Sequence, residues 1–162
     1  MDIRTETAGD FVSIRGVEER AFPTRAEADL VDRLRAAGDA VLSLVAVLEN
    51  EIVGHIMFSK MRKPPGTLGL GPVAVLAPYR RKGIAADLIR AGLQHARGNG
   101  WKCVFVLGNP AYYCRLGFSP ALAAGFRSPY AGPHLMALAL QSDGLSLRER
   151  SLEYPAAFAD LG

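Results

Sequence analysis

Two short strings carry the residues best suited to chemistry. The first is Arg80-Arg81-Lys82-Gly83-Ile84-Ala85. It follows an apolar run that ends Val73-Ala74-Val75. It precedes a helical repeat that places Ile84, Leu88, Ile89 and Leu93 on one face. A helix N-terminus offers unpaired amides and the positive end of the helix dipole. Gly83 allows close approach of a ligand to the backbone, and Ala85 keeps the next turn small. The combination suits a phosphate or pyrophosphate, with the three basic side chains adding long-range attraction. The string lacks the Gly-Lys-Ser/Thr ending of a P-loop and two of the three glycines of a dinucleotide fingerprint. Taken alone, it equally fits an ordinary helix start with solvated Arg and Lys.

The second string is Tyr113-Cys114-Arg115-Leu116-Gly117-Phe118. A tyrosine with a pKa of about 10 is protonated at neutral pH and can donate to an anion as charge builds on it. Tyr112 stands beside Tyr113 and would exchange places with it if the register moved by one residue. A general base is harder to read. Glu27 is one candidate, but Thr24-Arg25-Ala26-Glu27 has capping-box spacing, and helix capping explains it fully. His55 is another; it shares a strand face with Val53, Met57 and Ser59, where a lone histidine is more often a hydrogen-bonded structural residue. Water is the third. Cys103 and Cys114 have no partner cluster for zinc and make no disulfide framework, so they read as reduced thiols of a cytoplasmic protein.

These strings need elements to hold them. The sequence predicts a first strand over 3–5 and a helix capped by Asp10 and running to about residue 21. Phe11, Ile14, Val17 and Ala21 share its inner face. A second helix carries Leu30, Val31 and Leu34 and stops at Gly38. Strands follow over 41–48 and 52–59, joined by a tight turn at Glu49-Asn50-Glu51. A strand over 68–76 contains Pro72, which cannot donate to a ladder and so marks a bulge or broken pairing. A long helix over 83–97, a strand over 101–107, a short helix from Asn109-Pro110 and a late strand around 137–140 complete the order. The tail from residue 145 shows no clear pattern. The strands flanking the long helix must run parallel, because a helix-length crossover joins them. The fold class is therefore α/β, a mixed sheet in one domain over 1–162.

Composition agrees. The chain has 162 residues, 49% of them apolar and 22% charged, which suits a folded core. A net charge of +3 and the lack of aromatics interleaved with the basic residues argue against a nucleic-acid partner. The start lacks a signal-peptide pattern, and no apolar run nears ~20 residues, so no membrane partner is expected.

Arg80-x-x-Gly83-x-Ala85, between an apolar strand and an amphipathic helix, resembles the acetyl-CoA motif of the GNAT N-acetyltransferases. Tyr113 followed by Gly117-Phe118 resembles that family's second motif, at the matching separation. The string Leu107-Gly108-Asn109-Pro110-Ala111-Tyr112-Tyr113 is similar to a bacterial subgroup. The resemblance runs from Ile3 to about Leu140. It implies a mostly antiparallel central sheet with one splayed parallel pair, flanked by helices. It implies acetyl-CoA as acyl donor, held by the segment from Arg80 through Arg81, Lys82, Gly83 and Ile84 to Ala85. Val73 and Val75 would present backbone groups to the pantetheine arm and the acetyl carbonyl. Asn109 and Tyr112 are carried as further coenzyme contacts. Tyr113 would protonate the departing thiolate. The reaction implied is direct transfer to an amine, on a small molecule or a protein, without metal or covalent intermediate. A homodimer is also a family-level expectation. The rival expectation is a catalytically idle module of the same fold that binds CoA as a sensor. The strand over 70–75 has no carboxylate of the kind many family members use as base, which leaves that rival open.

Overall fold

A computed structural model describes the backbone of residues 1–161 and the side chains of residues 1–159. The strands are β1 (Asp2–Thr5), β2 (Ala40–Leu48), β3 (Glu51–Lys60), β4 (Thr67–Val75), β5 (Cys103–Leu107) and β6 (Leu135–Ala139). The helices are α1 (Phe11–Ala21), α2 (Ala26–Ala36), α3 (Ile84–Gly98), α4 (Pro110–Tyr113) and α5 (Pro120–Ala123). The strands form one sheet in sequence order. Every neighbouring pair is antiparallel except β4 and β5, which α3 connects. The β2–β3 turn has positive φ at both Glu49 (51°) and Asn50 (65°), the backbone that matches strand twist in a two-residue hairpin.

The sheet opens where Pro72 predicts. Ile56 of β3 faces Val73 while Phe58 faces Leu70, so β4 carries an extra residue at Gly71-Pro72. Parallel pairing is limited to Thr67, Leu68 and Gly69 against Cys103, Val104 and Phe105. Beyond Gly69 the two strands part, and β5 continues along β6 alone.

Alternation along β3 divides the core. Ile56 and Phe58 face α3, where Leu88, Ile89 and Leu93 pack with them. A Cβ on Gly92 would lie 2.1 Å from Phe58 Cε1, so only glycine lets the helix settle this close to the sheet. On the other face Met57 and Val45 meet Ile14, Leu30, Val31 and Leu34 of α1 and α2. A third cluster joins Phe105, Phe126 and Leu135 to Leu152 and Tyr154 of the tail. The tail forms bridges at Ser151 and Glu153 and a short 3-10 segment at Ala156–Leu161, in place of regular structure.

Three local expectations change. Phe11 is 40% exposed and packs under the Arg35 guanidinium at 4.1 Å, outside the buried face of α1. Asp10 does not cap α1; its carboxylate accepts from the Thr7 amide (2.7 Å) and pairs with Arg4, one turn earlier. The Arg4 hydrogen bonds hold Asp10 far below the usual carboxylate range. The capping box at Thr24–Glu27 is not formed, because the helix starts one residue late. Arg25 occupies the N-cap position, the Thr24 hydroxyl reaches only the Ala26 amide (3.3 Å), and Glu27 is left at the second helical position. No described helix is long and apolar enough to cross a membrane.

Candidate active site

The loop before α3 is a nest of unpaired amides. Arg81 (φ 64°) and Gly83 (φ 83°) both adopt left-handed backbone, which curls successive N–H groups toward one side. Among the described residues no carbonyl or side chain accepts from the amides of residues 81–85. A Cβ on Gly83 would meet nothing within 4 Å, so the space above it is open. α3 adds its dipole from below. Arg81 and Lys82 are exposed, Lys82 lying over the Tyr79 ring.

Arg80 is placed differently from its expected role. Its Nε donates to the Val75 carbonyl (3.0 Å), its second guanidinium nitrogen to the Ala21 carbonyl (2.9 Å), and its amide to Ala77. It ties the end of β4 to the end of α1 and turns its donors away from the nest. The Val75 carbonyl is thereby occupied, and Val73 is the valine that lines the neighbouring cavity. Asn109 is likewise engaged: its Oδ1 accepts from the Ala111 amide (2.9 Å) and caps α4.

The parting of β4 from β5 opens into a cavity of about 260 Å³. Glu27, the Gly71-Pro72 bulge, Val73 and Tyr113 share its wall. Tyr112 is not part of the lining, so the structure separates the two tyrosines. Tyr113 fits because Gly108 has no side chain; a Cβ there would lie 2.4 Å from the ring. Edge contacts with Tyr112 (5.2 Å) and Phe118 (5.7 Å) fix it. Burial first, then Tyr112, pushes the Tyr113 phenol up to about 12, so it stays protonated and available as a donor. The cavity's far wall is Tyr154 and Phe158, from the patternless tail.

A polar chain runs from part-buried Arg35 and Glu6 to fully buried His55 and Glu18. Arg35 holds Glu6 through two hydrogen bonds (2.6 and 3.1 Å). The Ser43 hydroxyl donates to Glu6 (2.5 Å) and lies 2.7 Å from His55 Nε2. His55 Nδ1 lies 2.7 Å from Glu18 Oε1. Because Ser43 spends its only proton on Glu6, His55 Nε2 must donate to it. Burial lowers the His55 pKa and raises that of Glu18, with Arg35 and Glu27 acting next in each case. The pair is therefore neutral, with the Glu18 carboxyl donating to Nδ1, although the two groups are close enough for an ion pair. Glu18 Oε2 and Glu27 Oε1 are both buried without a hydrogen-bond partner.

His55 is thus fully buried, has both ring nitrogens engaged and does not line the cavity. Sequence reasoning missed Glu18, Ser43, Tyr154 and Phe158. Glu18 had a signal: it stands four residues after Ile14, on the inner stripe of α1. Cys103 is buried and Cys114 exposed, both as free thiols. Among the described residues no three His, Cys, Asp or Glu side chains are placed to hold a metal.

Amides at a helix start, a split parallel pair and a tyrosine in the split define a class. The chain belongs to the GNAT acetyltransferase family, whose pattern matches residues 11–118. It is 41% identical over 133 residues to the Escherichia coli K12 protein named Uncharacterized N-acetyltransferase YjhQ, covering 76% of this chain and 73% of that one. It is 36% identical over 136 residues to E. coli YhbS, named in the same way, covering 82% and 81%. The crystal structure of E. coli YhbS in complex with CoA superposes with a TM-score of 0.92 at 32% identity, covering 99% of this chain and 93% of that one. A GNAT family acetyltransferase from Brucella melitensis in complex with acetyl-CoA gives 0.80 at 35% identity, covering 97% of each.

Proposed function

We propose that this chain, acting as one acetyltransferase unit over residues 1–162, moves an acetyl group from acetyl-CoA directly to a primary amine. The observation that carries the reading is the run of free amides over residues 81–85 that follows β4, together with the β4–β5 split and the cavity that Tyr113 lines. The CoA and acetyl-CoA bound by the YhbS and Brucella structures support the choice of donor. The nest receives the pyrophosphate, and Arg81 and Lys82 attract it at longer range. The pantetheine arm lies along the open edge of β4, and the thioester enters the split. Holding donor and amine together supplies the main advantage, since attack becomes effectively unimolecular. The amine nitrogen attacks the carbonyl carbon. The C–S bond breaks, its electron pair leaves on sulfur, and the Tyr113 phenol protonates the thiolate. Arg80 and Asn109 act by shaping the loop and α4, and Tyr112 by supporting the Tyr113 ring. The test is binding of acetyl-CoA followed by free-thiol release with a panel of amines. Saturable binding and amine-dependent release are expected; absence of binding would sink the reading.

A further inference from the structure

We infer that the acceptor is a compact primary amine bearing an apolar or aromatic substituent, with its ammonium group taken by Glu27; this rests on the acetyl-transfer reading above. The cavity measures about 260 Å³, just below the ~300–1,000 Å³ usual for ligand sites. It must also admit the acetyl group. Beyond the bulge, the wall is apolar or aromatic: Phe22, Leu30, Leu70, Leu107 and Phe158. Glu27 is the only charged residue in the lining among the described residues. Its Oε1 is closed to solvent and has no partner. A buried carboxylate oxygen left unpaired is costly, and a donor cation removes that cost.

One carboxylate matches one ammonium. A second cation on the acceptor, as in a polyamine or an aminoglycoside, would find no second acidic side chain in the described lining. Glu18, on α1, reinforces the count. Its carboxyl is fully buried, is hydrogen-bonded to His55 and lies outside the cavity lining, so it presents no second negative charge to the acceptor. Glu27 also completes the proton balance. It takes one proton from the ammonium and frees the lone pair for attack. Tyr113 gives its proton to sulfur, and the second N–H proton of the acylated nitrogen leaves to solvent, from which the phenol is restored.

The experiment measures kcat/KM of the full chain with acetyl-CoA and five acceptors: phenethylamine, isopentylamine, spermidine, kanamycin and a lysine-containing peptide. The first two should exceed the others by roughly 100-fold, the lower end of the penalty for burying an unmatched charge. Glu27→Gln should lower kcat/KM for phenethylamine by roughly 100-fold, as loss of a general base does, with acetyl-CoA affinity unchanged. Phe158→Ala should shift preference toward bulkier apolar amines, a readout that does not depend on Glu27. Preference for spermidine, kanamycin or the peptide, or an unchanged rate in Glu27→Gln, would overturn the inference and leave acetyl transfer standing. Failure to bind acetyl-CoA, or binding without turnover on any amine, would overturn acetyl transfer itself.

Discussion

The donor and acceptor sides of this site are built from different materials. The donor side is backbone: five consecutive unpaired amides, two left-handed residues and a helix dipole, all within residues 81–85 and α3. The proposed acceptor side is side chains drawn from Phe22 after α1, from α2, the β4 bulge, the end of β5, α4 and the tail. A backbone site asks only for glycine at one φ and tolerates many neighbours. A side-chain cavity changes shape with any of its contributors. On the proposed reading, the backbone side suits one shared coenzyme, and the side-chain side can be retuned for the acceptor without disturbing it.

The strongest test of this contrast is Gly83→Asp. A side chain at φ 83° is strained by ~1–2 kcal/mol, and a carboxylate would occupy the open space and repel phosphate. Calorimetry should show acetyl-CoA affinity falling by at least ~100-fold, with the circular dichroism spectrum of the native fold retained. Gly83→Ala should show the strain with far less loss of affinity.

Tyr113→Phe should act on the other side of the contrast. Turnover should fall by ~10²-fold, the usual worth of a positioned acid, while acetyl-CoA affinity holds. Tyr112→Phe should change turnover little, because that ring lies outside the cavity. Steady-state kinetics on both variants decides between the two tyrosines.

The buried Glu18–His55 pair gives a pH signature of its own. Glu18 is raised from 4.5, so the folded chain keeps a proton that the unfolded chain releases above that pH. His55 is lowered from 6.5, so the unfolded chain binds a proton there that the folded chain refuses. Between pH 4.5 and 6.5 the two effects cancel. Above 6.5 stability should fall by about 1.4 kcal/mol per pH unit as the folded state holds one extra proton. Below 4.5 it should fall again, because the unfolded Glu18 then binds its own proton and no longer offsets the extra proton on the unfolded His55. Glu18→Gln, which still offers a donor to Nδ1, should flatten the alkaline slope in denaturant titrations across pH 5–9.

Arg80→Ala should produce the smallest effect. Its guanidinium makes two hydrogen bonds to carbonyls, worth ~1–3 kcal/mol together for a charged donor at partial exposure. The loss should appear as lowered thermal stability and a modest, salt-insensitive weakening of acetyl-CoA binding. Arg81→Ala and Lys82→Ala should instead weaken binding in a salt-dependent way.

The contrast also explains what could be read from the residues. The donor side was legible because it is local: strand, glycine loop and amphipathic helix follow one another, and Pro72 announced the broken ladder. Tyr113 was singled out through its spacing to Gly117-Phe118, and the structure places it in the cavity wall. Glu27 was misread because capping-box spacing is satisfied on paper, while the chain enters α2 one residue later. Arg80 looked like a ligand-facing cation because sequence shows its charge and hides the carbonyls that claim it. The tail showed no pattern because it packs irregularly, through isolated aromatics such as Tyr154 and Phe158, and has no period for a sequence to display.

The contact between Gly92 and Phe58 reaches further than local packing. From Gly92 to the start of α3 is eight residues, about 12 Å of rigid rod. The sheet acts on that rod as a fulcrum acts on a beam. Where the rod rests on Phe58 sets the height and pitch of its free end, and hence where the amides of residues 81–85 point. The direction of the proposed phosphate-binding amides is thus gauged at a position outside the loop that carries them.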